Sequence, residues 1–139
     1  MSADSKKPPR PAPDLRQELG HRGEAKALSH LQAQGLTLVT RNWKAPSRPG
    51  FGGHGGELDL VMRDGDVLVI VEVRSASAKF AGDVAYTIGP AKRHRLATLA
   101  QLYLARLDWR PRGVRFDVVT LKKGLIRWDL RWYRNAFEC

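Results

Sequence analysis

The chain has 139 residues and a formal net charge of +10, from 24 Lys and Arg against 14 Asp and Glu. That length suits one domain with a single core, and the positive excess points to a polyanionic partner, most simply nucleic acid. No run approaches the ~18 apolar residues of a membrane span, so a soluble, cytoplasmic protein without membrane contact is expected. The sole cysteine, Cys139, is the last residue, which excludes a disulfide framework and a thiolate metal site.

Residues 1–13 contain Lys6, Lys7, Arg10 and four prolines, and read as a disordered basic tail preceding one domain over 14–139. Asp14 offers an N-cap with Gln17 three positions on, so a helix is predicted over 15–34, stopped by Gly35. Its apolar stripe is Ala27, Leu28 and Leu31. One turn back along that stripe stands Glu24, either a member of a buried site or a surface glutamate paired with an arginine. Gly20 and Gly23 leave room for a backbone or ligand to come close at this end.

A first strand is predicted over 36–42, followed by a Gly- and Pro-rich loop over 44–56. Lys44, Arg48 and His54 make that loop positive, and it reads as a substrate-contacting, nucleic-acid-binding segment. Next come two strand-like runs flanking Asp64-Gly65, a strong hairpin signal. With these two residues as the turn, Arg63 pairs with Asp66, Val61 with Leu68, Asp59 with Ile70 and Glu57 with Glu72. One face then carries Leu58, Leu60, Met62, Val67, Val69, Val71 and Val73. The other carries Glu57, Asp59, Val61, Leu68, Ile70, Glu72 and Arg74. An odd loop length would mix the sets, so the pattern itself defines the parity.

Three carboxylates and one guanidinium thus gather at one end of an apolar hairpin. Opposed like charges cost a few tenths to about 1 kcal/mol even in water. Arg74 can neutralise one acid, and a hard divalent cation such as Mg²⁺ or Mn²⁺ would relieve the rest. The alternative is a solvated sheet end with Arg74 paired to Glu72 or Glu57.

Residues 75–89 read as irregular. A second helix is predicted from Pro90 to Leu107, with the stripe Leu96, Leu99, Ala100, Tyr103 and Leu107. Lys92 extends that stripe toward the helix start, against the dipole, and is either functional or snorkels to solvent. Arg93 and Arg95 make the exposed side basic and are further candidates for contact with nucleic acid. Strands are predicted over 114–121 and 125–130 across Lys122-Lys123-Gly124. Trp128, Trp132 and Tyr133 either pack at the edge or stack on bases.

Several motifs together resemble the YraN-like bacterial family. They are Gly23-Glu24-Ala25, Arg41-Asn42-Trp43, Gly56-Glu57-Leu58-Asp59-Leu60, Val71-Glu72-Val73-Arg74, Lys92 and Arg115-Phe116-Asp117-Val118-Val119. That family is similar to the restriction-endonuclease-like superfamily and to archaeal Holliday-junction resolvases. The resemblance implies an α/β fold: a first helix packed on a mixed sheet, an antiparallel meander, a right-handed crossover helix and a returning strand. It also implies metal-dependent hydrolysis of DNA phosphodiester bonds, on branched or repair intermediates. Glu24, Glu57, Asp59, Glu72, Arg74 and Lys92 would form the catalytic set. Asp59 and Glu72 would ligate Mg²⁺ or Mn²⁺, with Glu24 acting through water. Relatives that cut two strands often pair, so a homodimer fits the resemblance. Arg74 stands where the superfamily has lysine, although arginine also occurs there among YraN-like proteins. Arginine stays charged and cannot serve as a general base. A non-cleaving nucleic-acid-binding protein with the same fold is therefore the alternative.

Overall fold

The computed structural model describes residues 15–46, 56–77 and 88–138. The elements run α1 (Leu15–Ala33), β1 (Thr37–Lys44), β2 (Glu57–Asp64), β3 (Val67–Ser77), α2 (Pro90–Leu104), β4 (Gly113–Lys123) and β5 (Trp128–Tyr133). The five strands form one mixed sheet in the order β1-β2-β3-β4-β5. β1, β2 and β3 are an antiparallel meander, β4 returns parallel to β3, and β5 is antiparallel to β4. A parallel return needs a crossover, and α2 supplies it. The tail over 1–13, most of the loop over 44–56 and residues 78–87 lie outside the described residues.

The two helices cover opposite faces of the sheet. Ala27, Leu28 and Leu31 of α1 pack on Leu60, Met62, Val69, Val71, Val119 and Leu121. Leu96, Leu99, Ala100 and Tyr103 of α2 pack on Val61, Leu68, Ile70, Phe116 and Val118. β3 is buried on both sides, which is why its first five residues are an unbroken apolar run. Each fully buried side chain of this size contributes roughly 1.5–3 kcal/mol. A Cβ on Gly23 would collide with the Ser75 hydroxyl, so glycine lets α1 settle against β3. Gly20 has open space around it and no such role.

Five expectations need correction. The hairpin turn is Gly65-Asp66, with Asp64 paired to Val67 and Val61 to Ile70. Gly65 takes φ 61° at the first turn position, a place where type II′ turns favour glycine. The register is therefore two residues from the expected one, and a shift of two leaves the faces unchanged. Leu58 leaves its expected face and joins the α2-side cluster, while Leu60 and Met62 stay on the α1 side. Alternation breaks at Asp59, across from Asn42, whose φ of 51° distorts β1. α2 ends at Leu104 rather than Leu107, and β1 continues to Lys44. Leu125 and Ile126 are a turn rather than strand, so β5 starts at Trp128. Trp128 and Trp132 pack on the α1-side cluster and Tyr133 on the other.

Asp117, which has no exposed surface, ties down the end of the chain. It accepts hydrogen bonds from Arg115 Nε at 2.9 Å, Arg115 Nη2 at 3.1 Å, Trp132 Nε1 at 3.0 Å and the Asn135 amide at 2.9 Å. Arg115 also reaches Asp64 at 3.0 Å. These bonds to Asp117, more than its charge, hold the guanidinium above its ordinary pKa. Phe137 then stacks on Phe116 with ring centroids 5.2 Å apart. Removing one partner of a buried pair leaves the other uncompensated. Asp117→Ala is expected to lose about 3–5 kcal/mol in urea unfolding.

Candidate active site

The β2–β3 ladder runs from Asp64↔Val67 to Leu60↔Val71 and pairs no residue beyond it. β3 continues six residues further, still paired with β4 as far as Ser77↔Lys123. A fork opens there. Continued into the fork, the same register sets Asp59 against Glu72, where the sequence had suggested Ile70. The Asp59 side chain takes the place of a backbone partner: its Oδ2 accepts the Val73 N–H at 2.9 Å.

Glu72 is 5 % exposed, on the face covered by α2. Burial, then the charge of Asp59, pushes its carboxyl up to about 7, against the opposing pull of Lys92 and Arg74. The contact between the Asp59 and Glu72 side chains adds to the rise. Lys92, in the first turn of α2, brings Nζ to 3.5 Å from Glu72 Oε1. Arg74 Nε lies 3.7 Å from the same oxygen, buried and without a hydrogen-bond partner. Both cations attract the carboxylate, but neither closes a good hydrogen bond on it.

The other two acids form a second pair on the α1 side. Glu24 is half-buried, and burial followed by the Asp59 charge raises its pKa. With the Asn42 amide turned so that its nitrogen meets the acceptors facing it, Nδ2 donates to Glu57 Oε1 at 3.0 Å and to Glu24 Oε2 at 3.1 Å. One neutral side chain thus clamps two carboxylates that would otherwise repel. Asn42 was not among the candidates the sequence suggested. Its signal was there: asparagine is unfavourable in a strand and tolerates φ > 0, and it sits in the Arg41-Asn42-Trp43 motif.

The structure therefore brings Glu24, Glu57, Asp59, Glu72, Arg74 and Lys92 to one end of the sheet, as two carboxylate pairs plus two cations. Among the described residues no three Asp, Glu, His or Cys side chains form a ready-made metal-ligand group. Asp59 and Glu72 touch, whereas Asn42 holds Glu24 toward Glu57. The expected basic residues behave differently from one another. Lys44, Arg93 and Arg95 are exposed, and Arg93 Nε donates to the Ile88 carbonyl at 3.1 Å. Arg48 and His54 lie outside the described residues.

Fold and site together define a small α/β protein with an acid cluster in the fork of a mixed sheet. The chain belongs to Uncharacterised protein family UPF0102, whose profile matches residues 23–121, a span containing all six of these residues and Asn42. It is 47 % identical over 126 residues to UPF0102 protein BAV3162 of Bordetella avium, covering 91 % of this chain and 79 % of that protein. It is 41 % identical to UPF0102 protein HEAR0176 of Herminiimonas arsenicoxydans, with 88 % of this chain and 89 % of that one covered. For UPF0102 protein PSEEN4497 of Pseudomonas entomophila the identity is 42 %, over 86 % and 93 %. The YraN-like resemblance is thereby upheld. Among the described residues no helix is long and apolar enough to cross a membrane.

The raised pKa of Glu72 has a signed consequence. Below about pH 4.5 the acid is protonated folded or unfolded. Between 4.5 and about 7 the unfolded state ionises first, so the folded state loses stability as pH rises, and the loss levels off above that window. Glu72→Gln should remove this slope. In a chelator-containing buffer the variant should gain on the wild type by on the order of 2–3 kcal/mol from pH 4.5 to 8, measured by urea unfolding. Asn42→Ala should raise the Glu24 pKa further, read by carboxyl-carbon NMR titration. It should also cost about 1 kcal/mol for placing alanine at positive φ.

Proposed function

We propose that this protein is a metal-dependent nuclease of the restriction-endonuclease-like superfamily, hydrolysing DNA phosphodiester bonds at branched or repair intermediates. One observation carries the reading: two carboxylates, half-buried Asp59 and buried Glu72, stand together in the sheet fork with Lys92 and Arg74 beside Glu72. Two acids set this close in a poorly hydrated place need positive charge beside them. An all-oxygen donor pair there suits a hard divalent cation. Asp59 and Glu72 would hold Mg²⁺ or Mn²⁺, with Glu24 assisting through water. The metal would supply Lewis acidity and an activated water for attack on phosphorus. Further support comes from the order of the elements and from the run of acids from α1 through β2 to β3, both of which follow the superfamily pattern.

The chain's own residues divide the remaining work. Val73 N–H orients Asp59, and Asn42 keeps Glu57 and Glu24 from repelling. Arg74 stays cationic at any working pH, so it stabilises charge developing on the phosphate and takes no proton. Lys92 offers a second cation from the opposite helix. The net charge of +10 draws the polyanion in.

Arg74 also favours a second reading, a nucleic-acid-binding protein that keeps the fold without cutting. Branched, flapped and single-stranded DNA incubated with Mg²⁺ or Mn²⁺ separates the two. A nuclease should lose about 100-fold or more in rate on Asp59→Ala or Glu72→Ala. Cleavage no faster than that of the double variant would defeat it. A non-cleaving binder should show salt-sensitive binding that survives, or tightens on, loss of the acids. Mn²⁺ binding by calorimetry should strengthen from pH 6 to pH 8, because Glu72 must give up its proton, and should vanish in Asp59→Ala.

A further inference from the structure

Among the described residues only three large hydrophobics are exposed: Leu38 at 36 %, Leu125 at 104 % and Ile126 at 96 %. The last two are adjacent and form the whole of a two-residue turn. Lys123 pairs with Trp128, and the Gly124 N–H closes the turn on the Arg127 carbonyl at 2.9 Å. Turns of this length favour Gly, Asn and Asp, whose conformations and polar side chains suit the corner. Leu and Ile gain nothing there from the fold, since neither side chain touches the core. Basic residues surround them: Lys122 and Lys123 on one side, Arg127 on the other, with Asp129 opposite Lys122 as the nearest acid in the ladder. Lys122, Lys123 and Arg127 make no ion pair among the described residues, while Asp129 is engaged by Arg131 at 3.5 Å.

The position of this tip in the sheet matters as much as its chemistry. β4 runs parallel to β3, with Val118 beside Glu72 and Lys123 beside Ser77. The turn therefore projects from the same end of the sheet as the acid cluster. Five residue steps separate Glu72 from Ser77, about 17 Å at the rise of a strand. That is about half a helical turn of B-form duplex. The β2–β3 ladder ends at Leu60↔Val71, and among the described residues β3, β4 and β5 run on together past the fork.

We propose that Leu125 and Ile126 are a wedge that enters a nucleic-acid duplex and unstacks a base step, while Lys122, Lys123 and Arg127 hold the flanking phosphates. This rests on the nucleic-acid reading of the acid cluster but not on cleavage. Paired apolar side chains in a basic setting are the means by which kinking proteins part stacked bases. For a protein acting on branched DNA, a wedge would select junctions and flaps, where stacking is already weak. The strands gripped at the tip would then lead back toward the fork.

The test uses the full chain in a chelator-containing buffer, so that no cleavage intervenes. Flap and four-way-junction DNA carries 2-aminopurine at the branch point, and linear duplex serves as the reference. The wild type should raise 2-aminopurine fluorescence about threefold or more on branched DNA. The double variant Leu125→Ser with Ile126→Ser should fold normally, since both side chains are fully exposed. It should lose the fluorescence rise and bind branched DNA about tenfold more weakly with its salt slope intact. Lys122→Gln with Lys123→Gln should instead flatten the salt slope by about two. A tip variant that matches the wild type in fluorescence and affinity overturns the wedge and leaves the nuclease reading untouched. Tip-dependent binding to phosphatidylglycerol vesicles, with the DNA response unchanged, overturns it in favour of a membrane contact. A wild type that binds no DNA at low salt overturns both readings together. Base unstacking without cleavage upholds the wedge on a non-cleaving protein.

Discussion

The hydrogen bond from the Val73 amide to the Asp59 carboxylate is the contact on which the functional end of this protein depends. A backbone donor at the edge of β3 loses its ladder partner where β2 turns aside, and an orphaned buried N–H is costly. Asp59 satisfies it with a charged acceptor, which makes the bond stronger and draws the carboxylate into the fork. Glu72 is already there, buried under α2. Burial and the neighbouring Asp59 charge then raise the Glu72 carboxyl well above its ordinary range.

The same chain contains a useful contrast. Asp117 is more deeply buried than Glu72, yet four donors at 2.9 to 3.1 Å satisfy it, and it behaves as a structural staple. Glu72 has two cations at 3.5 and 3.7 Å and a neighbour of its own sign. Buried polar groups that are fully bonded hold folds together, while those left short of partners mark places where a ligand has something to contribute. Arg74 repeats the theme with a buried Nε that has no acceptor. The unsatisfied groups cluster at one end of the sheet, and the satisfied network anchors the chain terminus.

Each helix reaches the cluster from its own side. α1 contributes Glu24, tied by Asn42 to Glu57 at the start of β2, and Gly23 next to it allows the close approach to β3. α2 contributes Lys92 at an N-terminus whose dipole already repels a cation. Glu72 offsets that cost, so the lysine and the buried acid each make the other tolerable. Side chains from opposite faces of a continuous sheet would stay apart. Here the fork lets them meet.

The alternation of apolar residues along 60–73, most of the stripe of each helix and the order of the elements were legible from sequence, because they depend on local periods of two and 3.6 residues. Periodicity also brought the acids to one end of the hairpin. It could not choose between registers two residues apart, since both bury the same face, and only the turn at Gly65-Asp66 decided that Asp59 and not Glu57 faces Glu72. Nor could it foresee the left-handed Asn42, which moves Leu58 across the sheet and bridges Glu24 to Glu57, or the ejection of Leu125 and Ile126 into solvent. Those outcomes depend on contacts between residues tens of positions apart, and only the tertiary structure brings such residues together.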